Sequence, residues 1–244
     1  MASTIISKYK YYKKKRNLLL FFAYLPLIIG IPLFSYLFIL GNKDIALTLL
    51  LVFVLIYLGL ILYLRAQIYA YVMYLKYFEM LINKMPPQKI KRKLFTEKWL
   101  EKIQKDYELR KDTKDYELFS KYIKRDSFLS YIKNTSVIIV LAKHEGVDFY
   151  SPDIEHETAR IVGENKVRQS VVLQFKRYRA FSEEAMESIE QVINYKDGFQ
   201  HVIHITIGYV DTINEIYFLH PKKKYPNKFY YYGTTLIKRL CEED

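Results

Sequence analysis

At 244 residues, with 51% hydrophobic side chains and a formal net charge of +12, the chain has room for one ordinary domain and an anchor. Lys8, Lys10, Lys13, Lys14, Lys15 and Arg16 carry +6, and Arg65, Lys76, Lys84, Lys89, Lys91, Arg92 and Lys93 less Glu79 carry another +6, while Lys43 and Asp44 cancel. The other 24 basic residues balance 24 acidic ones across 94–244, which argues against nucleic acid as a partner, and the lone Cys241 excludes an intrachain disulfide.

From Leu18 to Leu40, 23 residues, nothing is charged, and the same holds for the 20 residues from Ile45 to Leu64. About 20 apolar residues at 1.5 Å each cross a hydrocarbon core of roughly 30 Å. The basic run ahead of the first stretch also suits a signal peptide, but the stretch exceeds an ordinary signal core and no Ala-x-Ala site follows, so a retained helix is expected. Pro26 and Pro32, with Gly30 between them, predict a bend within it. Gly41-Asn42-Lys43-Asp44 leaves room only for a tight reversal, making the two spans antiparallel neighbours. Basic residues crowd the open ends of this hairpin rather than its turn. That asymmetry predicts a multi-pass cell-membrane protein with both termini cytoplasmic. Lys13, Lys14, Lys15, Arg16, Lys89, Lys91, Arg92 and Lys93 would then meet the bilayer's anionic lipid headgroups.

After Leu64 neither Gly nor Pro occurs until Pro86-Pro87, so one helix is expected from about Ile45 to Met85. Beyond the span, Leu64, Ile68, Tyr71, Leu75, Phe78, Ile82 and Met85 follow a 4-3-4-3 spacing, the seam of a coiled coil or of a packed stalk. Its cover is a second copy, giving a homodimer through 64–85, or another helix of the same chain. The flanking positions lack complementary charges, which favours the second. Pro86-Pro87 and the basic residues to Lys93 read as a linker at the membrane surface.

Residues 94–132 are expected to form two amphipathic helices. Trp99, Ile103 and Tyr107 are four apart, and Tyr116, Phe119 and Ile123 continue the pattern past a break near Lys111-Asp112-Thr113. Lys105-Asp106-Tyr107-Glu108-Leu109 recurs at Lys114-Asp115-Tyr116-Glu117-Leu118, and two copies make no solenoid. Ser136 to Ala142 suits a buried strand, with Val147 to Tyr150 pairing to it across Gly146. Ser151-Pro152-Asp153 predicts a helix start and Gly163 its stop; the alternative is a strand hairpin about Glu164-Asn165. Val171 to Tyr178 reads as a strand, Ser182 to about Tyr195 as a helix, and Gln200 to Tyr209 and Glu215 to Leu219 as strands, with 230–240 left unassigned. The fold class expected is a membrane α-helical hairpin plus a cytosolic α+β domain. Its parts are a basic N-terminus over 1–17, the hairpin over 18–64, stalk and linker over 65–93, and the domain over 94–244.

Gln174 and Lys176, two apart on a strand, point to the same face. A Gln-x-Lys strand followed by a helix and a hydrophobic strand resembles the PD-(D/E)XK nuclease fold in its Mrr-like form over about 60 residues. The resemblance implies an upstream acid and Gln174 holding Mg²⁺, with Lys176 stabilising charge and helping to position water. The acid would be Asp153 if 153–162 were a strand facing Lys176, or otherwise Asp148. The glycine-rich approach of that family is missing, and the same residues equally suit a solvated face with Asp153, Glu155 or Glu157 near Lys176. His201 and His204 lie three apart in a β-rich run, on opposite faces, so no metal site is expected. No phosphate-cradling glycine loop or CxxC pair is present. The spans hold no ionisable residue, against a channel or carrier. The function expected is a membrane-anchored module, without a cofactor, that binds or scaffolds an unidentified cytosolic protein partner. The alternative is a membrane-anchored metal-dependent nuclease.

Overall fold

A computed structural model describes residues 2–41, 43–124, 134–197 and 200–242. The chain divides into two compact units, Met1–Ile82 and Asn83–Asp244.

The first unit is a pair of helices, α1 (Ala2–Ile39) and α2 (Lys43–Ile82). At 38 and 40 residues they are about 57 and 60 Å long, roughly twice a hydrocarbon core. Both are long and apolar enough to cross a membrane. The basic segment before Leu18 is part of α1, and the helix continues through Pro26 and Pro32. Small residues bring the helices close, since a Cβ on Gly30 would lie 2.7 Å from the Phe53 ring and Ala23 and Ala46 are buried. The outward faces are bare hydrocarbon, with Ile28 64%, Leu55 67% and Ile56 68% exposed. Of the 4-3-4-3 seam, Leu64, Leu75 and Phe78 are buried, whereas Ile82 is 44% exposed. Tyr12 of α1 stacks on Tyr74 and Phe78, with ring centroids 5.0 and 5.6 Å apart. The cover therefore includes the chain's own first helix.

The second unit is a mixed eight-stranded sheet between two pairs of helices. Its strands are β1 (Gln88–Lys89), β2 (Glu108–Asp112), β3 (Tyr116–Ile123), β4 (Thr135–Ala142), β5 (Gln169–Tyr178), β6 (Ile193–Asp197), β7 (Gln200–Val210) and β8 (Glu215–Phe218). Their order is β1-β8-β7-β5-β4-β3-β2, and β6 pairs with the start of β7. The central β4, β5 and β7 are parallel, while the β2-β3-β4 meander and the β7-β8 pair are antiparallel. Every residue of β4 is buried, as its unbroken apolar run requires. On one face lie α4 (Pro152–Glu164) and α5 (Glu183–Ile189). Ile154 and Ile161 of α4 pack on Ile138, Val140 and Val172, and Ala185 and Ile189 of α5 pack on Tyr178, Val210 and Tyr217. The opposite face carries α3 (Glu97–Asp106) and α6 (Lys228–Cys241). There Trp99 meets Phe175 edge-on and donates its indole N–H to Leu240 O at 2.9 Å.

Several local expectations change. The end of the first expected helix is instead β2 and the second, after Thr113, is β3, the two forming a hairpin, and residues 125–133 of that stretch lie outside the described residues. Its Tyr116, Phe119 and Ile123 spacing imitates a helix because β3 is buried on both faces: Tyr116 and Leu118 join the α4 side, while the neighbouring Phe119 is also fully covered. Thr113 Oγ1 builds the turn by accepting from the backbone N–H groups of Asp115 and Tyr116 at 3.2 and 3.0 Å. Val147 to Tyr150 is a loop, not a strand, because both edges of β4 are already taken by β3 and β5. Helix α4 passes Gly163, and the left-handed residue beyond it is Lys166, with φ 48°. Helix α5 ends at Ile189, and 193–197 is strand β6. The basic stretch after Pro86-Pro87 contains β1, paired with β8.

Candidate functional site

The sheet lays out this region. Gln174 and Lys176 share the α4/α5 face of β5, as their spacing requires, and both are buried, 1% and 9% exposed. Opposite them runs the loop that follows β4, at the carboxyl ends of the parallel strands, where α/β sheets commonly hold ligands. Gln174 Nε2 donates to Phe149 O at 3.1 Å and Lys176 Nζ donates to Val147 O at 3.0 Å. The two side chains thus pin alternate carbonyls of one loop. The Lys176 ammonium also lies over the Phe149 and Tyr178 rings, 5.6 and 5.2 Å from their centroids. Tyr150 OH donates to Gln191 O at 2.5 Å, tying the loop to the residues after α5. Asp148 Oδ1 accepts from the backbone N–H of Tyr150 at 2.9 Å.

These contacts leave a cleft of about 260 Å³ whose lining includes Val147, Asp148, Tyr150, Lys176, Ser188 and Gln191. Burial pulls the Lys176 pKa below the ordinary lysine value, opposed by the charges of Glu145 and Asp148. Neither acid forms an ion pair with Lys176 among the described residues.

Asp153 is engaged elsewhere. Because 152–164 is a helix capped by Ser151 Oγ, which accepts from the Ile154 N–H, the hairpin that would set Asp153 against Lys176 does not form. The Asp153 carboxylate accepts from Lys111 Nζ at 2.8 Å and from Tyr116 OH at 2.6 Å, and these two donors, Lys111 foremost, hold it below the usual carboxylate range. Glu157 binds Lys111 and Arg160, at 3.2 and 2.8 Å. Asp153 and Glu157 therefore pair with these residues, not with Lys176, and the acid that lines a cleft with Lys176 is Asp148.

His201 and His204 occupy opposite faces of β7. His201 approaches Asn194 Oδ1 at 3.1 Å, and burial pushes His204 down to about 4. Among the described residues, no three His, Cys, Asp or Glu side chains gather closely enough to hold a metal ion. Of the residues expected at a membrane surface, Lys13, Lys14, Lys15 and Arg16 lie on α1. Lys89 lies in β1 opposite Glu215, and the Lys91 carbonyl accepts from Asn214 Nδ2 at 3.5 Å. Arg92 and Lys93 follow just before α3.

Sequence reasoning missed Ser188 and Gln191, which carry no motif, and it missed the buried Glu190. That carboxylate accepts from both Lys84 Nζ and Tyr217 OH, joining the segment before β1 to α5 and β8. Comparison with family profiles, curated proteins and solved structures finds no match to this chain, so the cleft is read from its own geometry.

Proposed function

We propose that the protein is a membrane-anchored binding module: α1 and α2 cross the bilayer as a hairpin, and the α/β unit binds or scaffolds a partner on the cytosolic side. The carrying observation is the outward face of the hairpin, where residues such as Leu55, Ile56 and Leu62 are about two-thirds exposed. Such a surface on two long helices is far larger than soluble proteins leave open to water. Basic residues before Leu18 and after Leu64, set against Lys43 alone near the turn, orient the termini inward.

In this reading Lys13 to Arg16 flank the first span directly and meet anionic headgroups. In the same reading Lys89, Lys91, Arg92 and Lys93, which follow the second helix in the sequence, offer further cations to those headgroups.

The nuclease alternative is the weaker reading: in its Asp153 form the acid is held by Lys111 and Tyr116, and in its Asp148 form Gln174 is tied to the Phe149 carbonyl and does not line the cleft that Asp148 and Lys176 share. The test is reporter fusion at residues 1, 42 and 244 together with alkaline extraction of membranes. Cytoplasmic signals at both ends, an external signal at Asn42 and retention in the pellet are expected. An external C-terminus or release by alkali would overturn the anchor.

A further inference from the structure

Two opposite charges line one cleft without pairing. Lys176 has three N–H donors and gives one to Val147 O. It has no carboxylate within ion-pair distance among the described residues, although Asp148 lines the same opening. Asp148 uses Oδ1 on the Tyr150 N–H, and no protein donor among the described residues engages Oδ2. An ammonium at the floor, 9% exposed, incurs a desolvation cost that cation–π contacts only partly offset. A separated, unpaired couple of this kind matches a molecule carrying the reverse couple.

We propose that the cleft is a binding site for a small zwitterion of the amino-acid type, its carboxylate received by Lys176 and its ammonium by Asp148. Ser188 and Gln191 line the space between the loop and α5 and offer the ligand polar contacts. The charges favour a monoanionic carboxylate over a phosphate dianion, because Asp148 and Glu145 both act on Lys176 and would repel the second negative charge. A cleft of about 260 Å³ has room for a single small molecule, not a peptide strand. This inference does not depend on the membrane reading, since every residue in it belongs to the α/β unit.

The test is equilibrium dialysis of the full chain in lipid nanodiscs against each standard L-amino acid, radiolabelled and tested singly, with inorganic phosphate as a comparison probe. At least one amino acid should be retained and displaced by its unlabelled form, with phosphate retained less. Lys176→Met and Asp148→Asn should each weaken retention at least about tenfold. Asp148→Asn keeps the oxygen that accepts from Tyr150, so its loss of binding cannot be ascribed to an unfolded loop, and thermal melts of both variants check this. The proposal is overturned if no amino acid is retained, if phosphate is retained more tightly than all of them, or if both variants bind as the parent does.

Discussion

The Tyr12 ring lies stacked on Phe78, with centroids 5.6 Å apart and planes 20° apart, so the basic start of α1 covers the apolar seam of α2 around Tyr71 and Phe78. A side chain this flat and large removes much of the stripe from water. In a chain with Cys241→Ser, a Leu75→Cys variant should give little disulfide dimer in oxidised membranes, no more than Met73→Cys off the seam. Adding Tyr12→Ala should raise the Leu75→Cys dimer yield by uncovering the seam. A high yield with Tyr12 intact would show that a second copy occupies the stripe.

Gly208 leaves no room for a side chain between β7 and the end of α5. A Cβ there would sit 2.4 Å from Ile189 Cδ1 and 2.9 Å from the Phe181 ring, and Ile189 is fully buried. Gly208→Ala should therefore destabilise the α/β unit by about 1–3 kcal/mol through overpacking. Gly208→Ala with Ile189→Val should recover part of the loss. Urea unfolding followed by Trp99 fluorescence reads both, and an unchanged midpoint for the single variant would contradict the packing.

Buried His204 makes the unit acid-sensitive. Its pKa falls from 6.5 to about 4 in the folded state, so the neutral ring contributes fully above pH 6.5. Below that value the unfolded chain takes up the proton first, and stability declines as pH falls toward 4. The span of the shift corresponds to roughly 3 kcal/mol. His220, also lowered by burial, acts in the same direction. His204→Leu should flatten the loss between pH 6.5 and 4, measured as thermal midpoints across that range; an identical slope would reject the assignment.

Glu190 holds the segment ahead of β1. Its carboxylate, 5% exposed, accepts from Lys84 and Tyr217, and the Met85 N–H donates to His220 O at 3.0 Å nearby. Lys84→Met should remove one charged donor from a buried carboxylate and cost on the order of 1–3 kcal/mol. The effect should be local. Amide exchange should quicken at residues 84–90 while β4 and β5 stay protected, and uniform protection would show that the contact does not anchor the segment.

Asp153 offers a contrast with the cleft. Its carboxylate is largely exposed in its contacts with Lys111 and Tyr116, so Asp153→Asn should change stability by well under 1 kcal/mol. It should also leave Lys176 unaffected. Acylation of lysines mapped by mass spectrometry would read this, with Lys111 labelled faster in the variant and Lys176 unchanged.

The sequence by itself determined the features that local pattern controls. Two uncharged stretches made two long apolar helices, Ser151-Pro152 opened α4, and the unbroken apolar run from Ser136 made a buried strand. The two-residue spacing placed Gln174 and Lys176 on one face. Tertiary structure decided what local pattern leaves degenerate. Tyr116, Phe119 and Ile123 suit a helix or a doubly buried strand equally, and only pairing with β4 selected the strand. Val147 to Tyr150 lost its expected strand because β5 had taken that edge of β4. Lys111 and Tyr116, about forty residues upstream, claimed Asp153, which left Lys176 facing Asp148 across the cleft. Periodicity is a property of neighbours along the chain, whereas hydrogen-bond edges and counter-charges are filled by whichever distant segment packs there.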